Sequence, residues 1–220
     1  MNIQSSTLSF LRELKVNNTR EWFNEHKAQY EQAHVNLKDF VDELIKHLSR
    51  FDPHIPADIK SSKCIFRIYR DVRFSKDKAP YKSWLAAGIS ADGRKLEGPE
   101  YYLHIEPGKS FIAVGYWLPK KEHLSAIRQE IDYNYAAFLD VLQQGGWEIG
   151  DLSTEDKLKR PPVGYTLDNE AIEVLKLKSY ILFKYLSDEE ITHPYALENI
   201  IETCQRTLPF KEFIHDAIDM

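Results

Sequence analysis

The feature that most constrains the fold is one run of residues stepping by three or four: Trp22, His26, Tyr30, Ala33, Leu37, Phe40, Leu44 and Leu48. That period predicts a single helix with an apolar stripe roughly 40 Å long at about 1.5 Å per residue. So long a one-sided helix must bury its stripe against another layer. Asn18 and Glu21 have capping-box spacing ahead of it, and Phe51-Asp52-Pro53 with Pro56 ends it. A shorter helix precedes it, carrying Leu8, Leu11 and Leu14 after caps at Ser5 or Ser6, and Asn17-Asn18 separates the two.

The middle of the chain changes period. From Cys64 to Phe74 the residues alternate: Phe66, Ile68, Arg70, Val72 and Phe74 take one side, Arg67, Tyr69, Asp71 and Arg73 the other. Alternation of that kind predicts a strand. Trp84–Ser90 predicts a second, and Tyr101–Glu106 with Ser110–Trp117 predicts a hairpin. Pro107-Gly108 suits the two central positions of a type II turn in that hairpin. No crossover helix separates these strands, so an antiparallel or mixed sheet is expected rather than a doubly wound one.

The last hundred residues return mainly to helix. One helix is expected through Leu124, Ile127, Ile131, Phe138 and Leu142, ending at Gly145-Gly146, followed by a loop with Lys157, Lys159, Arg160 and Pro161-Pro162. Ile172 and Leu175 suggest a short helix, and Tyr180–Leu186 a strand. Ser187 and Glu190 form a capping box for a helix through Ile191, Leu197, Ile201 and Cys204. Pro209 fits the first turn of a final helix carrying Phe210, Phe213 and Ile214. The expected fold is α+β: one domain over residues 1–220, with a mostly antiparallel central sheet packed against N-terminal and C-terminal helices.

Composition excludes several classes. No apolar run approaches the roughly 20 residues of a membrane-spanning helix, and the first residues lack a secretion-signal pattern. Two isolated cysteines, Cys64 and Cys204, argue against a disulfide scaffold or a thiolate metal site. A cytoplasmic protein is expected. The net charge of −5 disfavours membrane surfaces and general nucleic-acid binding. That charge is unevenly spread, however. Residues 67–82 hold Arg67, Arg70, Arg73, Lys76, Lys78 and Lys82 against Asp71 and Asp77, giving +4 locally and −9 for the rest.

That segment is the strongest functional lead. Arginine forks match carboxylate or phosphate oxygens, and lysines add point charges. On a strand, Arg67 and Arg73 would share a face roughly 20 Å apart, with Asp71 between them to orient either. Arg20, Trp22, His26 and Tyr30 of the long helix could form a facing wall. His26 and His104 are the candidate proton-transfer groups, because histidine titrates near neutrality; His104 shares its strand face with Tyr102 and Glu106. His-x-Glu also occurs in zinc deaminases, but their Pro-Cys-x-x-Cys half is missing. No histidine cluster has metal-ligand spacing, and no P-loop, dinucleotide, zinc-protease or nucleophile-elbow motif is present.

Asn17-Asn18-Thr19-Arg20-Glu21-Trp22-Phe23 with His26-Lys27 and Tyr30, and Arg67-Ile68-Tyr69-Arg70-Asp71-Val72-Arg73-Phe74-Ser75-Lys76-Asp77-Lys78 with Pro80-Tyr81-Lys82, resemble the two main signatures of an uncharacterised bacterial and fungal family, domain of unknown function 2461. Tyr101-Tyr102-Leu103-His104-Ile105, Pro107-Gly108, Gly115, Arg128 and Leu158-Lys159-Arg160 fit the same pattern, so the resemblance runs from about Leu8 to the C-terminus. The family pattern has Thr where Ala79 stands and Thr-Asn where Ser83-Trp84 stand, which leaves Ser83 as the polar group there. The resemblance implies a single-domain cytoplasmic protein and supplies no activity, cofactor or catalytic role.

The expected function is binding of a small phosphorylated or carboxylate ligand through Arg67, Arg70, Asp71, Arg73, Lys78, Tyr81 and Lys82, with Arg20, Trp22 and Tyr30 opposite. Two alternatives stay open. One is a non-catalytic module for a nucleic-acid backbone or an acidic protein surface; the other is a charge network serving only the fold. The sequence leaves oligomeric state and turnover open.

Overall fold

A computed structural model describes residues 1–95 and 97–219. Its helices are α1 (Ser5–Val16), α2 (Arg20–Glu25), α3 (Lys27–Leu48), α4 (Ser61–Cys64), α5 (Lys121–Tyr133), α6 (Tyr135–Gln144), α7 (Ile172–Leu175), α8 (Asp188–Thr192) and α9 (Ala196–Ile218). Its strands are β1 (Leu85–Ile89), β2 (Glu100–Ile105), β3 (Ser110–Tyr116) and β4 (Tyr180–Leu186), in the antiparallel order β1-β2-β3-β4. The α+β class, the hairpin and β4 thus follow the sequence pattern. Among the described residues no helix is long and apolar enough to cross a membrane.

The chain forms two compact units. The first holds Met1–Arg94, Tyr102–Ile112 and Tyr185–Ile201; the second holds Lys95–Tyr101, Ala113–Lys184 and Glu202–Met220. In the first unit α3 buries Ala33, Leu37, Phe40, Leu44 and Leu48, the lower part of the expected stripe, and Leu8, Leu11 and Leu14 of α1 are buried as well. In the second unit Ile127, Ile131, Phe138, Leu142, Leu175, Phe210 and Ile214 belong to one apolar cluster. Gly115 of β3 lies at φ 134°, and a Cβ there would stand 2.0 Å from the Tyr180 carbonyl oxygen, so only glycine fits.

Local chemistry corrects several expected boundaries. The stripe from Trp22 to Leu48 lies on two helices, because His26 breaks the helix at φ −105°, ψ 18°. Its backbone N–H and ring Nδ1 both donate to the Trp22 carbonyl, at 3.0 and 2.8 Å, capping α2. Thr19, not Asn18, caps the N-terminus of α2, accepting from Trp22 N–H at 3.2 Å. Gln4, with no side-chain cap bond, precedes α1 in place of a serine cap. Asn134, at φ −126°, ψ 42°, splits the helix expected over 124–142 into α5 and α6.

The Ser187–Glu190 capping box forms, but α8 stops at Thr192 before His193-Pro194, where proline disfavours a helical predecessor. Pro209 lies inside α9 rather than at the start of a separate helix.

Candidate functional site

The largest departure falls on the cationic segment. Residues 66–84 form no named strand; only isolated bridges join Ile65 to Ala87 and Tyr69 to Tyr81. The reason is local competition for the backbone. Asp71 Oδ1 accepts from Arg73 N–H at 3.3 Å and Asp77 Oδ1 from Ala79 N–H at 2.9 Å, so two turns occupy 71–79. The backbone pairing left beside them is Arg70 N–H to the Pro80 carbonyl and Lys82 N–H to the Ile68 carbonyl, at 2.9 and 2.8 Å. The strand expected to carry Arg67 and Arg73 on one face therefore does not form.

The cations divide into two groups. Arg73 donates through Nε and Nη2 to both oxygens of Asp71, at 3.0 and 2.7 Å, and this fork holds the Asp71 carboxyl below its usual range. Arg70 pairs with Asp77 and donates to the Ala79 carbonyl at 3.2 Å. Lys78 donates to the Val72 carbonyl at 2.9 Å. These three are committed to the loop's own shape.

Arg67, Lys82 and Arg94 behave differently. Lys82 donates to the Arg67 carbonyl at 2.9 Å, and its ammonium lies 4.5 Å above the Trp84 ring and 5.5 Å above the Phe66 ring. Arg94 donates through Nη1 to the carbonyls of Ser62, Lys63 and Ile65 at 3.1, 2.8 and 2.9 Å, closing the end of α4. Gly93 before it lies at φ 61°, where a Cβ would sit 2.6 Å from the Lys63 oxygen, so the close approach requires glycine. Burial, then the charges of Arg67 and Arg94, push the Lys82 pKa down. Among the described residues none of the three makes an ion pair.

Beside them lies a polar chain along β2. Tyr102, His104 and Glu106 follow one another on alternate positions, as the sequence pattern requires. The Tyr102 hydroxyl lies 3.4 Å from His104 Nδ1, and His104 Nε2 lies 3.4 Å from Glu106 Oε2. Lys15 of α1 approaches the other Glu106 oxygen at 3.3 Å. One neutral tautomer satisfies every contact: Tyr102 O–H donates to Nδ1, and Nε2–H donates to Glu106. Burial lowers the His104 pKa and outweighs the raising effect of Glu106, which favours the neutral ring.

The helical residues divide as well. Arg20 and Tyr81 meet Arg70 in one cleft of about 320 Å³, lined also by Asn24, Tyr69, Val72 and Pro80. Asn18 fixes that wall: its side-chain amide donates to the Tyr81 carbonyl at 2.9 Å and its oxygen accepts from Tyr81 N–H at 3.1 Å. Phe23 stacks on Tyr81 at 3.9 Å and packs against Tyr30 at 5.1 Å. Trp22 and His26, by contrast, stack on each other at 4.0 Å, and Trp22 on Phe10; neither has a ring contact with segment 66–84 among the described residues. The structure therefore brings Arg20, Arg70 and Tyr81 together, and Arg67 with Lys82, and sets Trp22 and His26 apart.

The description "Conserved hypothetical protein (DUF2461)" applies to a family that matches residues 6–213 of the 220-residue chain. The chain belongs to the DUF2461 family. No curated protein and no solved structure matches it. In this DUF2461 protein the residues that sequence reasoning missed are Phe66, Trp84, Arg94 and Phe111. Phe111 carried a usable signal: a two-residue turn at 107–108 sets 104 opposite 111, and the two rings do stack, at 4.8 Å and 8°. Arg94 carried none, because its partners are backbone carbonyls about thirty positions away.

Proposed function

We propose that the protein binds a small anionic ligand through the 67–82 segment, with Arg67 and Lys82, backed by Arg94, holding the anion. The observation that carries this reading is the contrast within the segment. Arg70 and Arg73 have carboxylate ion pairs, whereas among the described residues Lys82 and Arg94 make none and Arg67 has only the longer-range attraction of Asp71, which Arg73 already engages. Lys82 is half-buried beside two exposed guanidinium groups. Like charges so placed raise the cost of its ammonium, and an anion among them relieves it. Phosphate or carboxylate oxygens suit such a set. The cleft at Arg20, Arg70 and Tyr81 lies on the same segment and is large enough for a small group.

A second reading belongs to Arg70 and Arg73 alone. Their pairs with Asp77 and Asp71 support a role in ordering the loop that presents Lys82. Thermal-shift titration with phosphate, carboxylates and sugar phosphates separates the two roles. A ligand at 100 times its Kd stabilises a fold by about 2.7 kcal/mol. The expected result is a shift with one anion class that disappears in Arg67→Ala/Lys82→Gln while the unliganded variant melts normally. No shift with any anion would overturn the reading.

A further inference from the structure

Four rings stand in a row across the sheet: Trp84 just before β1, His104 on β2, Phe111 on β3 and Tyr185 on β4. Their centroids are 4.9, 4.8 and 6.1 Å apart in that order. Tyr102 adds a second tier, 5.9 Å from Phe66 and 5.8 Å from Phe111. Rings gathered to fill a core would be sealed. Here Phe66, Trp84, Tyr102 and Phe111 are only half-buried, and Tyr185 is 69% exposed. The row is therefore a partly open aromatic surface, and the Lys82 ammonium rests on its Trp84 end.

Each half of this arrangement is ordinary alone. Half-exposed rings occur on many sheets, and surface cations on most proteins. Together they select one ligand chemistry. A flat ring stacks on aromatic side chains whatever its edge substituents, and guanidinium with ammonium holds a phosphate. Lys82 touches both parts, lying over two rings while its own hydrogen bond goes to the Arg67 backbone.

We propose that the anion of this site is attached to a planar ring, as in a mononucleotide, with the phosphate at Arg67 and Lys82 and the ring on the Phe66–Trp84–Tyr102 surface. This inference rests on the anion-binding reading above and adds the ring. On binding, the Lys82 ammonium leaves the ring faces for the phosphate, and the base takes its place. Lysine suits this exchange because its charge rides on a flexible four-carbon stem.

Calorimetric titration of the intact protein at fixed ionic strength tests it, with adenosine monophosphate, uridine monophosphate, ribose 5-phosphate, inorganic phosphate, adenosine and a single-stranded hexanucleotide. Both mononucleotides are expected to bind about tenfold or more tightly than ribose 5-phosphate, the gain of one stacked base. Trp84→Leu is expected to erase that advantage, so that mononucleotides and ribose 5-phosphate bind alike, whereas Lys82→Gln weakens every phosphate. Equal affinities for mononucleotide and ribose 5-phosphate would overturn the ring and leave the anion site standing. No binding by any phosphate would overturn both. A hexanucleotide that binds far more tightly than the mononucleotides, with steep salt dependence, would also overturn the proposal by making a nucleic-acid strand the occupant. The comparison among ligands needs no variant, so it stands even if Trp84→Leu unfolds.

Discussion

The two units each contain a group of aromatic rings, and the groups are built differently. In the second unit Phe138 packs against Phe210 and Phe213 at 6.2 and 5.3 Å, none of the three is more than 9% exposed, and aliphatic side chains surround them. In the first unit Tyr102 and His104 bond through their heteroatoms along β2, Phe66 and Phe111 pack against Tyr102, and a cation lies over one end. Ring contact alone therefore does not distinguish a core from a site. Exposure, polar tips and uncompensated charge nearby do, because each costs stability unless solvent or a ligand meets it.

The largest expected effect tests the core side of that comparison. Phe138→Ala should cost about 3–5 kcal/mol in urea unfolding, through lost burial and the cavity left behind. It should leave anion-induced stabilisation of the remaining folded protein intact. A loss below about 1 kcal/mol would mean that this group is not a packed core.

Next comes a pair of titratable groups on β2, one in each unit. Burial pushes the Glu100 carboxyl up to about 7. A raised folded pKa adds stability that is fully present below the ordinary carboxylate value and is lost as pH rises through about 7. Glu100→Gln should therefore gain roughly 3 kcal/mol over the wild type at pH 8.5 and little at pH 4. Equal gains at both pH values would contradict the burial assigned to Glu100.

For His104 the sign reverses, because burial lowers its pKa. Its contribution is present above the ordinary histidine value and is lost as pH falls through the lowered folded value. Stability should decline on acidification below about pH 6.5, and His104→Gln should flatten that part of the profile. An unchanged profile in the variant would show that another group titrates there.

The smallest effect is expected at the exposed Asp71–Arg73 pair. Arg73→Ala should leave the melting temperature where it was, since exposed pairs are screened and flexible. A large drop would move this pair into the structural framework of the fold.

Much of the fold was legible because its signals are local. The β2–β3 hairpin follows from alternation around Pro107-Gly108, β4 from a β-rich run, and the buried stripe of α3 from its period. Several of the misreadings share one physical origin, polar groups that compete for the backbone. His26, Asp71 and Asp77 each offer a nearby bond that ends or replaces a regular element, and Asn134 leaves the helical region at φ −126°, ψ 42°. The candidate site was half legible. Charge density pointed to residues 67–82, but which cations pair with Asp71 and Asp77, and which are left with Arg94, depends on the folded loop. The hairpin register set Phe111 opposite His104, whereas Trp84 and Tyr185 join the row only when the strand order is known.

The most direct test of the central claim reads the tryptophan indole N–H signals by NMR during titration with adenosine monophosphate. Trp84 belongs to the ring row, whereas Trp147 lies beside Arg206 in the second unit. A saturable shift of the Trp84 indole and of the His104 ring, with Trp147 unmoved and the response lost in Lys82→Gln, is the predicted result. A titration that leaves Trp84 and His104 unmoved, or that moves Trp147 instead, would contradict it.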